Sequence, residues 1–187
     1  MKFPRRAIFF GRFQPFHKGH LYVAENILKE YEEIVFLVGM STESHTERNP
    51  FTAGERIEMI RLAMKEAGFD LSRVITSALP TLEIHIASAH HAIYASPHSE
   101  AIFIGNPIVS QILREAGFNV IVPKPYKREI YNGTLIRRYM AEQNDKWREL
   151  VPKSVAEFLD SIKATERLKN ITSPSERHIL GEENSLD

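Results

Sequence analysis

Two histidines stand three residues apart in Gly11-Arg-Phe-Gln-Pro-Phe-His17-Lys-Gly-His20, directly after the apolar run Ala7–Phe10. More than a hundred residues later, Asn132-Gly-Thr134-Leu-Ile-Arg137-Arg138 again sets a capping-type polar residue and a glycine before a basic pair. These residue types suit a polyphosphate. Free amides and the dipole at a helix N-terminus favour an anion, and a histidine in the first turn can donate to it. Gly11 allows a sharp turn or a close ligand, Gly19 relieves crowding where the helix starts, and Arg12 and Lys18 add positive charge. Thr134 and Arg137 are three apart, so they share a helix face and can contact phosphate oxygens together.

Two other uses of the histidines compete with this one. Zinc would need a third ligand, which is not obvious, and the spacing is not that of HExxH. A lone HxxH would read as a helix cap or a packed polar niche. Here the glycines and cations lie in register with a strand-to-helix turn, and phosphate is the better fit. The expectation is therefore no protein-held metal.

Something must hold these groups in place. The chain has 187 residues, 43% hydrophobic and 26% charged, enough for one globular core. Lys plus Arg and Asp plus Glu balance at 24 each, which leaves no global basic field and argues against a nucleic-acid polymer as partner. There is no cysteine, which excludes disulfides and thiolate chemistry. The apolar run near the N-terminus is too short for a signal-peptide core, and no later stretch is long enough to span a bilayer. The expectation is a cytoplasmic protein that does not touch a membrane.

Strand and helix signals alternate. Ala7–Phe10, Glu33–Gly39, Arg73–Leu79, Ala101–Ile104 and Asn119–Val122 read as buried strands. Between them lie helical stripes over Gly19–Tyr31, from a Thr52–Glu55 capping box to about Gly68, over Leu82–Ala95, and from Pro107, capped by Asn106, to near Gly117. This order specifies an α/β fold with a Rossmann-like, doubly wound, parallel five-stranded sheet. Gly133–Gln143 and Pro152–Leu168 read as amphipathic C-terminal helices packed on that sheet. The expected domain is 1–172, and 173–187 is a polar, flexible tail.

Taken together, Gly11–His20 resembles the HxGH signature of a nucleotidyltransferase superfamily, and Gly133–Arg138 resembles its companion Ser/Thr–Arg signature. Arg48–Arg56 (RNPFTAGER), Gly105-Asn106-Pro107 and Trp147–Pro152 extend the likeness. Over roughly residues 5 to 171 the chain is similar to the archaeal-type nicotinamide-nucleotide adenylyltransferases. The resemblance implies attack of the 5′-phosphate of nicotinamide mononucleotide on the α-phosphorus of ATP, giving NAD and pyrophosphate, with Mg²⁺ carried on the ATP. It implies catalytic roles for His17, His20, Arg48 and Arg137, and ATP contacts from Gly11, Arg12, Phe13, Lys18, Gly105, Asn106, Thr134 and Arg138. It places the acceptor against Met40, Ser41, Leu82, His85 and Ser88. It also implies a homo-oligomer, with a hexamer as the expected form. The chain departs from the family pattern at the acceptor: Met40-Ser41 follows Gly39, and His85 and Ser88 stand where relatives carry Asn and Trp. His85, His90 or Tyr94 would then replace the stacking ring. Transfer to flavin mononucleotide or phosphopantetheine, and a nucleotide-binding regulator without turnover, stay open at this point.

Overall fold

Runs rich in β-branched and aromatic residues form β1 (Arg6–Gly11), β2 (Glu33–Val38), β3 (Val74–Ala78), β4 (Ala101–Phe103) and β5 (Val120–Ile121). In this computed structural model, which describes residues 3–80, 90–92 and 94–173, they make one parallel sheet. The strand order is β3-β2-β1-β4-β5. Central β1 sits where the order reverses, between β2 and β4, with Ile8 opposite Val35 on one side and Ile102 on the other. Such a reversal opens a crevice at the carboxyl ends of the strands.

The sheet is buried on both faces, as a parallel sheet must be. Ala7, Phe9, Ile34, Phe36 and Val38 face one apolar cluster. Ile8, Val35, Leu37, Ile102 and Ile104 face the other. Helix α1 (Lys18–Glu30) and α2 (Ala53–Glu66) bury Val23, Ala24, Ile27, Met59, Ile60 and Ala63 on the first face. On the opposite face, α3 (Pro107–Glu115) buries Leu113. The doubly wound five-stranded sheet expected from the sequence is the fold observed.

Three further helices complete the first face: α4 (Gly133–Ala141), α5 (Lys153–Ser161) and α6 (Ala164–Thr172). The sequence reads as one helix over Pro152–Leu168, but the chain breaks at Lys163, whose φ of 52° is left-handed. The break has a packing reason. Val155 and Leu159 of α5 and Ala164 and Leu168 of α6 all enter the core that holds Trp147. A straight helix would separate Val155 from Leu168 by about 20 Å and carry the latter past that core. Of the helix expected over Leu82–Ala95, only His90–Ala92, Tyr94 and Ala95 are described; the first four are helical and Ala95 is already in a turn. The expected tail, Ser173 excepted, lies outside the described residues. Among those residues, no helix is long and apolar enough to cross a membrane.

Candidate functional site

The loop after β1 ends in a capping box built from two histidines. His17 is the N-cap of α1; its Nδ1 accepts from the His20 amide at 3.3 Å. In return the His20 Nδ1 accepts from the His17 amide at 3.3 Å. Capping boxes are ordinarily made by Ser or Thr with Glu or Gln. Because each Nδ1 receives a backbone N–H, it carries no proton, and each neutral ring bears its hydrogen on Nε2. The rings stack at 3.6 Å between centroids, 20° apart. Behind them, His20 meets Phe13 edge-on at 5.0 Å and Phe16 at 5.4 Å. Burial pushes the His17 pKa down to about 3, and burial followed by the charge of His17 holds His20 well below the usual imidazole value. At neutral pH the pair is two uncharged Nε2–H donors.

The geometry of this turn depends on close approach. A Cβ on Gly19 would lie 3.0 Å from Tyr131 Cβ and 3.1 Å from the His17 ring. A Cβ on Gly133 would lie 2.8 Å from the Gln14 carbonyl oxygen, which accepts from Arg137 Nη1 at 2.8 Å. Glycine at both positions lets the two signature segments touch.

The Gly11–His17 and Met40–Thr52 loops are joined by side chains. Gln14 pairs with both backbone groups of Phe51, donating to its carbonyl at 2.9 Å and accepting its amide at 3.0 Å. Arg12 Nη1 donates to Asn49 Oδ1 at 3.3 Å. Arg56, fully buried, donates to the carbonyls of Arg12 (3.0 Å), Gly39 (2.7 Å), Met40 (3.0 Å) and Thr52 (3.1 Å). Phe13 and Met40 both have φ of 52°, a left-handed conformation that costs a non-glycine residue. Arg56 grips the carbonyl before the first and the carbonyl of the second. Its own pKa is pushed down to about 10 by burial and then by Arg12, so it stays cationic.

These loops wall a cavity of about 710 Å³ at the carboxyl ends of β1 and β4. Gly11, Arg12, His17, His20, Met40, Arg48, Gly105 and Asn106 line it, as does Arg128. No acidic side chain does, among the described residues. Three helices begin at its wall: α1 at His17 and Gly19, α3 at Asn106 and Pro107, and α4 at Asn132 and Gly133. None of the three carries an acidic residue in its first turn, although such residues normally stabilise helices there. The vacated place suits an anionic ligand. Burial first, then Arg48, lowers the Arg12 pKa, while Glu43 opposes them.

Other residues singled out from sequence lie elsewhere. Phe13 is buried in the core behind His20, outside the cavity wall. Lys18 reaches across to the Glu149 carbonyl at 2.8 Å. Arg137 is tied to the carbonyls of Gln14 and Glu47 and, at 3.4 Å, to Thr134 Oγ1, so the shared helix face is real. Burial, then Arg12 and Arg48, push its pKa down to about 10, with Glu47 opposing. Thr134 and Arg138 border a recess of about 250 Å³ that shares Asn132 with the main cavity. The Ser41 amide donates to the Leu79 carbonyl at 2.9 Å. His90 packs against Phe118 and Tyr94 is 87% exposed; neither lines the cavity, although the neighbouring Ala92 does. Leu82, His85 and Ser88 lie outside the described residues. Among the described residues, no group of three or more His, Cys, Asp or Glu side chains could hold a metal.

Sequence reasoning passed over Gln14, Asn49, Arg56 and Arg128. Arg56 did leave a signal: it falls on the helical stripe Arg56, Met59, Ile60, Ala63, Met64, a charge in an apolar row. Arg128 left none beyond its nearness to Asn132.

Known proteins resemble this chain in sequence and in fold. A family model described as cytidylyltransferase-like matches residues 8–139. A nicotinamide-nucleotide adenylyltransferase from Saccharolobus solfataricus is 46% identical over 166 residues, 89% of this chain and 96% of the relative. One from Sulfurisphaera tokodaii is 47% identical over 176 residues, again 89% and 96% of the two chains. Among solved structures, a bifunctional NMN adenylyltransferase/ADP ribose pyrophosphatase from Francisella tularensis, complexed with AMP and a manganese ion, has a TM-score of 0.72. It is 21% identical; the match covers 95% of this chain and 54% of that one, so this chain spans about half the bifunctional enzyme. With nearly half of its residues identical to the former over almost their full length, and a fold shared with the latter, the chain belongs to the archaeal-type nicotinamide-nucleotide adenylyltransferases of the cytidylyltransferase-like superfamily.

Proposed function

We infer that this protein joins nicotinamide mononucleotide to ATP, producing NAD and pyrophosphate. The observation that carries the reading is the convergence of three helix N-termini and two neutral histidines on a cavity that, among the described residues, has no acidic lining. In the reaction a 5′-phosphate oxygen of the mononucleotide forms a bond to the α-phosphorus of ATP. The bond from that phosphorus to the bridging oxygen breaks, and pyrophosphate leaves with the electron pair. Both partners are already ionised, so the protein needs to position them and stabilise charge, and needs no acid–base dyad.

In this reading His17 and His20 donate from Nε2 to phosphate oxygens, His20 closest to the reacting centre. Neutral donors suit this role, since they bind the oxygens without first requiring a proton at Nδ1, which the helix amides occupy. Arg12 and Arg48 neutralise charge on the cavity wall, and Arg128 adds to them from the loop before α4. Thr134, Arg137 and Arg138 border the β- and γ-phosphates, and Gly105 and Asn106 border the adenosine. Met40, Ser41, Leu82, His85 and Ser88 are assigned to the acceptor. Mg²⁺ would come with the triphosphate, whose oxygens would hold it, and would supply further charge neutralisation there; among the described residues no carboxylate lines the cavity. The catalytic unit is 1–172. It works in the cytoplasm as a homo-oligomer, in this reading a hexamer, which light scattering would measure.

The decisive experiment is a coupled pyrophosphate assay with ATP and Mg²⁺, offering nicotinamide mononucleotide, flavin mononucleotide and phosphopantetheine in turn. Release with nicotinamide mononucleotide alone is expected. Release with another acceptor would redirect the reading to that acceptor, and ATP binding without release for any would make the protein a regulator.

A further inference from the structure

Asn49 is 1% exposed, and its side chain has a partner on each side. Its Nδ2 donates to Glu43 Oε2 at 2.7 Å, and its Oδ1 accepts from Arg12 Nη1 at 3.3 Å. The orientation of the amide is forced: the carboxylate offers only acceptors and the guanidinium only donors. The backbone of Asn49 is fixed as well. Its amide donates to Thr46 Oγ1 at 3.0 Å, and its carbonyl accepts from the Thr46 amide at 3.3 Å. Two residues on, Phe51 is held by Gln14, so the whole turn is pinned to the loop that carries Arg12.

What stands between Arg12 and the Glu43 carboxylate is therefore a neutral amide. A guanidinium in direct contact with a carboxylate would form a bidentate pair and spend its donors there. Held instead by an amide oxygen through one nitrogen, Arg12 on the cavity wall spends one donor there, and among the described residues its remaining N–H groups are open to a ligand. Glu43 still contributes its charge from one group further away, and its field opposes the effect of Arg48 on Arg12. Arg12 is thus aimed but not neutralised.

We propose that Asn49 is a positioning residue that sets Glu43 back from Arg12, orienting the guanidinium while leaving it free to bind a phosphate of the nucleotide. The proposal rests on the reading of the cavity as an ATP site. It makes the identity of one buried amide a determinant of nucleotide affinity, although that amide need not touch the nucleotide.

The test moves the charge without changing the hydrogen bonds. In the double variant Glu43→Gln/Asn49→Asp, the introduced amide donates to the introduced carboxylate, which now accepts directly from Arg12. Net charge and hydrogen-bond pattern match the parent; only the place of the negative charge differs. ATP dissociation constants are read by calorimetry, with thermal midpoints alongside. The expected result is a parent-like midpoint with ATP binding weakened about tenfold, as for the loss of one charged hydrogen bond. In turnover the KM for ATP rises while the KM for the acceptor stays. A merely structural Asn49 would be rescued in this variant, so an unchanged ATP dissociation constant overturns the proposal. Glu43→Gln alone gives an independent check should the double variant not fold. It keeps an acceptor for Asn49 and removes the counter-charge, so ATP binds at least as tightly as in the parent; weaker binding overturns the proposal. A parent protein that binds ATP but releases no pyrophosphate removes the proposed reaction and leaves the binding comparison intact. A parent that binds no ATP overturns both.

Discussion

The molecule uses one local device twice. At the start of α1, His17 and His20 make a reciprocal capping box; at the start of α2, Thr52 and Glu55 make the same box, with bonds of 3.2 and 2.8 Å. The backbone requirement is identical, two free amides satisfied by side chains at N-cap and N3. The side chains left over are not. Glu55 turns its carboxylate to Arg167 of α6 in a two-point pair at 2.7 and 2.8 Å, and Arg167 also donates to the Pro50 carbonyl. Burial raises the Glu55 pKa, but the hydrogen bonds of Arg167 and Thr52 outweigh it and hold the carboxyl below its usual value. That box fastens the C-terminal helices to the sheet domain. The histidine box leaves two Nε2–H groups and no negative charge beside a cavity. A helix cap thus becomes an anchor or an anion site according to what its side chains have left after capping.

The comparison breaks most sharply if the boxes are exchanged. His17→Thr with His20→Glu keeps two cap acceptors at α1 but removes both Nε2 donors and adds a carboxylate beside the cavity. The expected outcome is a folded protein with a melting midpoint near that of the parent and kcat/KM for ATP lower by about 10³, some 4 kcal/mol. Turnover close to the parent level would show that the histidines serve the helix alone.

The second box yields to its partner. Arg167→Ala leaves Glu55 charged and without its cation in a place where both side chains are under a fifth exposed, 19% and 17%. Breaking such a pair costs about 3 kcal/mol, at the low end of the range for buried pairs because some solvent remains. Urea unfolding should show this loss, with the KM for ATP changed far less than in the box exchange. A kinetic collapse of equal size would mean that the two boxes are coupled, not separate devices.

Much of this was legible in the sequence for physical reasons. Buried strands at Glu33 and Ala101 announce themselves by apolar runs, and Asn106-Pro107 and Thr52–Glu55 by capping chemistry. The family signatures located the segments that bring His17, His20, Arg12 and Arg48 together. What stayed hidden depends on chain reversal. Arg56 sits on an apolar stripe, but the carbonyls it collects come from Arg12, Gly39 and Met40, which no local pattern joins. Lys163 breaks a helix that propensity would continue, because the core must receive both Val155 and Leu168. Lys18 has the charge for a phosphate but points to the Glu149 carbonyl, since alternate positions at a helix start face different ways.

The smallest expected effect separates the boxes by pH. Unfolded, a histidine takes up a proton near pH 6.5; in the folded protein burial delays that uptake at His17 to about pH 3. The unfolded state therefore binds more protons below pH 6.5, and stability rises with pH across this window. The contribution is fully present above pH 6.5 and fades as the pH falls towards 3, amounting to about 2 kcal/mol lost at pH 5. His20, whose pKa is lowered in the same direction, steepens the slope. Glu55 behaves likewise only in more acid solution, since its carboxyl titrates below the usual carboxylate value. His17→Asn keeps a cap acceptor without a titratable ring, so its thermal midpoint should fall less than the parent's between pH 7.5 and pH 5. Parallel curves for the two proteins would mean that His17 ionises in the fold as readily as in the open chain, and that its Nδ1 is not committed to the helix.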